Sequence, residues 1–243
     1  MNGLEPATQG VVRRVWAERL RVPARVFETS EPVFVDRSDL TAAVVVRIGG
    51  TTAVAAPEPA LSALRGLDGE QLLDVDSLLV ALEPVRPSLL GAASLSFVDH
   101  RTISPISDSV VRAATEGDVE AVISRCSADE RDESGLAHMS MRWVVSGRTG
   151  EPEAAAGYEV WGDGLAQIGL AVAPGFRGQG LGALAASAAA VRAIGVGLVP
   201  QWRCRAGNLA SARVGERLGF VRVGEQVAID LGPAGRELTD VAR

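Results

Sequence analysis

The sequence predicts an α/β fold, α+β in arrangement: a mixed central sheet flanked by helices, preceded by a smaller mixed α/β unit. Three observations carry this. Strand-like apolar runs alternate with segments of helical period along the whole chain. With 47% hydrophobic residues, the chain can build substantial cores. A polar, proline-punctuated stretch, HRTISPISDS (100–109), separates two halves of different pace. Its 243 residues admit one large domain or two ordinary ones; the punctuation favours two, an accessory unit over 1–103 and a second unit over 107–243.

In the first half, Val11, Val12, Val15, Trp16 and Leu20 recur at helical spacing opposite Arg13, Arg14 and Glu18, predicting a helix over 7–20. LTAAVVVRIGGTTAVAA (40–56) reads as two β-rich runs around Gly49-Gly50, a two-residue turn that hairpins favour, with a single long strand as the alternative for parts of it. EPALSALRGL (58–67) and GEQLLDVDSLLVALE (69–83) read as helices, and LLGAASLSFVD (89–99) as a strand. No catalytic motif stands out in this half.

In the second half, VVRAATEGDVEAVISRC (110–126) reads as strand, turn and helix, with Thr115 or Asp118 as cap. AHMSMRWVVSG (137–147) and AAAGYEVWG (154–162) are strands around the hairpin loop RTGEPE (148–153). LAQIGLAV (165–172) is a fourth strand, closed by Ala173-Pro174 and followed by a helix from about Gln179 to Ala193. GLVPQWRC (197–204), NLASARVGERLG (208–219) and FVRVGEQVAIDL (220–231) continue as strand, helix and strand. Asn208 suits the cap of that helix and Gly219 its left-handed stop.

A net charge of −6 lacks the basic clustering of a nucleic-acid or anionic-membrane surface and leaves neutral or cationic partners as the expectation. Two cysteines, Cys126 and Cys204, and two histidines, His100 and His138, make no disulfide framework and no metal centre. There is neither a signal-peptide pattern nor a run near the roughly 18–20 apolar residues of a membrane span, so a cytoplasmic protein is expected.

The stretch Phe176-Arg-Gly-Gln-Gly-Leu-Gly182 lies between a strand and an alanine-rich helix. Glycines there bare the backbone, and a helix starting behind them aims its free N–H groups at an anion. The residues alone leave three readings: a tight turn without ligand, a dinucleotide fingerprint (Gly178-x-Gly180-x-x-Ala183), and another phosphate-binding loop. The dinucleotide reading wants an acidic residue about 20 positions on, where the chain has Arg203, Cys204 and Arg205. No Gly-Lys-Ser/Thr follows, which removes the nucleotide P-loop.

Parsed as Arg177-x-x-Gly180-x-Gly182 after the strand IGLAV, the loop resembles the pyrophosphate loop of the GNAT (general N-acetyltransferase) superfamily. The likeness covers roughly 110–231 and includes Asn208-x-x-Ser211 and Glu216-Arg-Leu-Gly-Phe220; ESGL, AGYEVW, LVPQWR and NLAS further resemble a bacterial two-part subgroup. The resemblance implies a GNAT-type sheet and an acetyl-CoA-dependent N-acetyltransferase that transfers directly to a small-molecule or peptide amine. The cosubstrate contacts it implies are Leu170, Ala171 and Val172 on the strand, Arg177, Gly178, Gln179, Gly180, Leu181, Gly182 and Ala183 at the loop, and Asn208 and Ser211 beyond. Where many members have a tyrosine acid, this chain has Gly215, and where some have a glutamate base it has Ala166 beside Gln167. Glu133, Tyr158 and Ser211 remain as catalytic candidates. A non-catalytic acyl-CoA-binding module is the competing reading. The first half would shape the acceptor pocket, mediate a homodimer, or repeat the second in degenerate form.

Overall fold

The computed structural model describes residues 3–106, 110–147 and 150–232. In the first half these form α1 (Pro6–Leu20), β1 (Val33–Asp36), β2 (Ala42–Ile48), β3 (Thr51–Ala56), α2 (Glu58–Leu64), α3 (Val75–Ala81) and β4 (Ser88–Phe97). The second half contributes β5 (Val111–Ala113), α4 (Glu116–Ile123), α5 (Ala128–Ser134), β6 (Met141–Ser146), β7 (Pro152–Trp161) and β8 (Leu165–Val172). It ends with α6 (Leu181–Gly195), β9 (Val199–Arg205), α7 (Leu209–Arg217) and β10 (Val221–Asp230).

All ten strands lie in one sheet of order β1-β3-β2-β10-β4-β9-β8-β7-β6-β5. The sheet does not divide at the boundary expected between 103 and 107. β4, from the first half, is inserted between β9 and β10, pairing Leu95 with Arg203 on one side and Val227 with Ala92 on the other. β10 in turn pairs with β2, Val227 opposite Val45. The two halves are therefore interleaved through hydrogen bonds that no local sequence period encodes.

Helices cover both faces. On one face α1 packs Trp16 and Leu20 against Val44, Leu95, Phe97 and Leu165, while α4 covers Val144, Ala155 and Ala171. On the other, α6 sets Ala185, Ala186, Ala189 and Ala190 on Ala154, Ala156 and Ala166, and α2 and α3 cover Val45 and Val227. The small residues on both sides of the α6 contact bring this helix close to β7 and β8, which fixes the position of its N-terminus.

Local signals account for most boundaries. Thr115 and Asp118 form a reciprocal capping box at α4, so both cap candidates act together. Asn208 accepts from the Ser211 N–H at 3.0 Å, and Gly219 stops α7 with φ +86°. The Gly49-Gly50 hairpin pairs Ile48 with Thr51. Two elements differ from expectation. The acidic stretch between α4 and β6, for which the sequence predicts no element, is α5, started by a Ser127–Glu130 capping box, and VFVD forms the edge strand β1. Part of the RTGEPE loop and the start of the second unit fall outside the described residues.

β8 and β9 run parallel but pair only at Leu165–Val199, Ala166–Pro200 and Gln167–Gln201. Beyond that point they part. A polar chain closes the base of the notch: the Trp16 indole N–H donates to Gln201 Oε1 at 2.8 Å, Gln201 Nε2 donates to Gln167 Oε1 at 2.6 Å, and Gln167 Nε2 donates to the Ile168 carbonyl at 3.0 Å. Trp16 and Gln201 are fully buried. Gln201→Leu strands the indole N–H and the Gln167 carbonyl without partners, and about 1–3 kcal/mol of stability should be lost, read by urea unfolding.

Candidate functional site

The end of β8 and the start of α6 are shaped by backbone conformations that only glycine adopts readily. After a short turn at Pro174–Phe176, Gly178 and Gly180 take φ of +75° and +83°. In consequence the N–H groups of Gly178, Gln179, Gly180, Leu181 and Gly182 have no acceptor among the described residues. The 15-residue α6 begins right behind them with no acidic side chain in its first turn. Its dipole adds positive potential at the same point. The arrangement suits an anion with several oxygens, such as a diphosphate.

A second strip of free backbone continues from this loop. The Ala173 N–H donates to Glu153 on the β7 side at 2.9 Å. Because main-chain groups alternate along a strand, Val172 and Leu170 turn theirs the other way, toward the notch where β9 has diverged. An extended ligand can hydrogen-bond there as an added strand would. Two expected contacts differ from the rest. Ala171 is paired with Ala155 on β7, and the Ala183 N–H already donates to the Gly180 carbonyl at 3.1 Å, so neither offers a free donor.

Arg177 is held across the end of β8. Its Nε donates to the Val172 carbonyl at 3.2 Å, and its Nη2 lies 2.9 Å from Glu130. The Ser127 backbone N–H and Arg177 keep the Glu130 carboxyl below its usual range. A diphosphate reaching Arg177 would compete with that carboxylate.

Across the notch, Asn208 caps α7 through its Oδ1, while its amide NH2 has no acceptor among the described residues. Ser211 Oγ accepts from the Trp202 indole N–H at 3.1 Å. The same indole lies over Gly215, where a Cβ would come 3.2 Å from its ring. The tyrosine position of the family is thus occupied in space by Trp202, which also packs on Phe220 at 5.3 Å between ring centroids. Gly215→Tyr should therefore not install an acid. It should displace Trp202 and cost about 1–3 kcal/mol by overpacking, seen as a lower urea midpoint and a red-shifted tryptophan emission.

The three catalytic candidates do not converge. Tyr158 is buried on the α6 face, stacked on Trp143 with centroids 5.9 Å apart. Ser211 is engaged with Trp202. Glu133 lies on α5, on the opposite face, 3.6 Å from Arg205. The bare Gly169 backbone seats this helix end, since a Cβ there would stand 2.1 Å from the Ser134 carbonyl. Cys126 and Cys204 are buried free thiols, and burial pushes the Cys126 thiol up, away from nucleophilic character. No group of three or more metal-ligating side chains occurs among the described residues, and no described helix is long and apolar enough to cross a membrane.

Sequence reading missed what lies on the Glu133 face of the notch. Gln201 and Arg203 alternate with Trp202 and Cys204 along β9, so they point toward α1. There two guanidinium groups approach the Trp161 ring, that of Arg19 with its carbon 3.6 Å from the ring centroid and that of Arg203 at 5.5 Å. Glu159 accepts from the Trp161 indole N–H at 3.1 Å. The signal was present in QWRCR, where every second residue of a central strand is polar.

Comparison with known proteins bears on the family and the fold. No curated protein matches the sequence. The model of the acetyltransferase (GNAT) family matches residues 110–220, from just before β5 to just before β10. Among solved structures, a GCN5-related N-acetyltransferase-like protein from Streptococcus suis is 16% identical, with a TM-score of 0.51, over 88% of this chain and 98% of that one. A GCN5-related N-acetyltransferase from Kribbella flavida is 24% identical over 68% of this chain and 66% of that one, with a TM-score of 0.48. A GNAT-family structure from Novosphingobium aromaticivorans is 22% identical over 60% and 68%, at a TM-score of 0.48. The chain thus spans about two thirds of the length of these last two. The Streptococcus likeness shows the fold, and its 88% coverage takes in much of the first half as well. The segment that carries the loop and the β8 edge is thus the part of the chain that the acetyltransferase (GNAT) family model matches, residues 110–220.

Proposed function

We propose that this protein is an acetyl-CoA-dependent N-acetyltransferase that moves the acetyl group directly from thioester to amine. The observation that carries the reading is the run of five unpaired main-chain N–H groups from Gly178 to Gly182 at the head of α6, continuous with the free edge of β8. The first feature suits the diphosphate of coenzyme A. The second suits its amide-bearing arm, which brings the thioester to the base of the notch above Gln167 and Gln201.

In that position an N–H of the β8 edge donates to the thioester carbonyl as negative charge builds on its oxygen. The neutral amine attacks the carbonyl carbon, the carbon–sulfur bond breaks, and the thiolate leaves. Two protons must be handled: one leaves the ammonium before attack and one reaches the departing sulfur. With Trp202 over Gly215 and Tyr158 packed in the core, the route for both that this geometry favours is water in the open notch, with Glu133 on α5 as the candidate base. The rate should then follow the fraction of neutral acceptor and rise with pH toward the amine's own pKa.

The filled space at Gly215 also favours a second reading, an acyl-CoA-binding module without turnover. Calorimetric titration with acetyl-CoA and thiol release over a panel of amines separate the two. Binding with release supports the transferase, binding without release the module, and absence of binding removes both.

A further inference from the structure

Resting on the acetyltransferase reading, we propose that the acceptor is an amine that also bears a carboxylate, and that Arg203 holds this carboxylate beside the notch. Arg203 lies two residues beyond Gln201, the last β9 residue paired with β8. It is paired with Leu95 of β4 and so shares the α1 face with Gln201, opposite α6 and the loop amides. The notch therefore has two sides, one on each face of the sheet. The cosubstrate loop occupies one, and Arg203 borders the other.

Its guanidinium is equipped for an anion it does not have. Nη1 is out of contact with solvent and has no acceptor among the described residues. The charged groups facing it are Arg19 from α1, Glu133 from α5 and Glu159 from β7. Both carboxylates are engaged elsewhere, Glu133 with Arg205 and Glu159 with the Trp161 indole. Burial first, and Arg19 second, pull Arg203 down to about 10, so the cation persists at neutral pH but is under-compensated. A planar fork whose Nη1 is unpartnered matches a carboxylate in two parallel hydrogen bonds, which the Trp161 face beside it would shield from water.

An amine a few bonds from that carboxylate reaches the free edge of β8, while Glu159, whose hydrogen-bond partner is the neutral Trp161 indole, provides negative potential for its ammonium form. The local field thus selects a zwitterion, although the chain's net charge of −6 favours a cation at long range. Arg203 is a specificity-determining residue in this scheme and takes no part in the proton transfers.

The test uses the full chain, acetyl-CoA, and matched pairs of acceptors: L-amino acids and the same amines lacking the carboxylate. Thiol release should favour the acids by about a hundredfold in kcat/KM. Arg203→Met should abolish that preference by raising KM for the acids, and Arg203→Lys, which keeps charge without the fork, should raise it roughly tenfold. Affinity for acetyl-CoA, measured by calorimetry on the same preparations, should stay within about twofold, which also reports a folded site for each variant. Equal turnover of both members of each pair, turnover of neither while acetyl-CoA binds, or an unchanged preference in Arg203→Met overturns the proposal and leaves the transferase reading to stand or fall by its own test. Loss of acetyl-CoA binding by the unaltered protein overturns both.

Discussion

Gly180→Val is expected to weaken acetyl-CoA binding at least a hundredfold, about 2.7 kcal/mol, in calorimetric titration. Gly180 takes φ +83° and ψ −2°, a conformation that costs L-residues roughly 1–2 kcal/mol and a β-branched one more. The new Cβ itself meets only Arg217 Nη1, at 3.6 Å, so the free protein has room for the side chain. The strain is instead relieved by turning the flanking peptides, and that rotates the N–H groups of Gly180 and Leu181 away from a common centre. Thermal stability should fall little while affinity collapses. Gly10→Ala provides the contrast: Gly10 lies in α1 with open space around it, so this change should stabilise the fold by about 0.5–1 kcal/mol and leave affinity unchanged. If Gly180→Val binds acetyl-CoA as the unaltered protein does, the loop is not the phosphate site.

What the sequence made legible was local. The left-handed Gly219 stop, the Asn208 cap, the Gly49-Gly50 hairpin and the strand–loop–helix corner each depend on a few adjacent residues, and the structure has them all. The α5 helix was also encoded, as Ser127-x-x-Glu130, but its body, polar in all but Ala128, lacks the apolar period that draws attention to helices. What remained hidden is non-local. Nothing in SLLGAASLSF says that β4 lies between β9 and β10 rather than within a sheet of its own half, because strand partners are chosen by the whole assembly of faces. Arg203 gives the same lesson for the site. An arginine reads as surface, and only the insertion of β4 on one side and the packing of α1 and α5 above turn it inward.

Gly219→Ala should be the most destabilising single substitution proposed for this chain, lowering stability by about 3–5 kcal/mol and the calorimetric midpoint by roughly 10 °C. At φ +86° it ends α7, but the larger effect is steric. A Cβ at Gly219 would stand 1.9 Å from the Thr102 carbonyl oxygen, backbone that cannot swing aside as a side chain can. Nearby, the Ser104 N–H donates to the Leu218 carbonyl at 2.9 Å, so the connection after β4 is fastened to the end of α7 at this point. Two sources of strain are separable. Asparagine tolerates the left-handed conformation far better than alanine yet carries the same Cβ. Gly219→Asn should therefore be nearly as unstable as Gly219→Ala if the close approach to Thr102 governs. Recovery of most of the stability in the asparagine variant would mean that the dihedral angle alone matters. The fastening of the two halves at this corner would then carry little weight. Because Phe220 packs on Trp202, and Trp202 on Gly215, a shift here should also loosen the α7 side of the notch and weaken acetyl-CoA binding several-fold, where the steric account and the proposed site meet in one measurement.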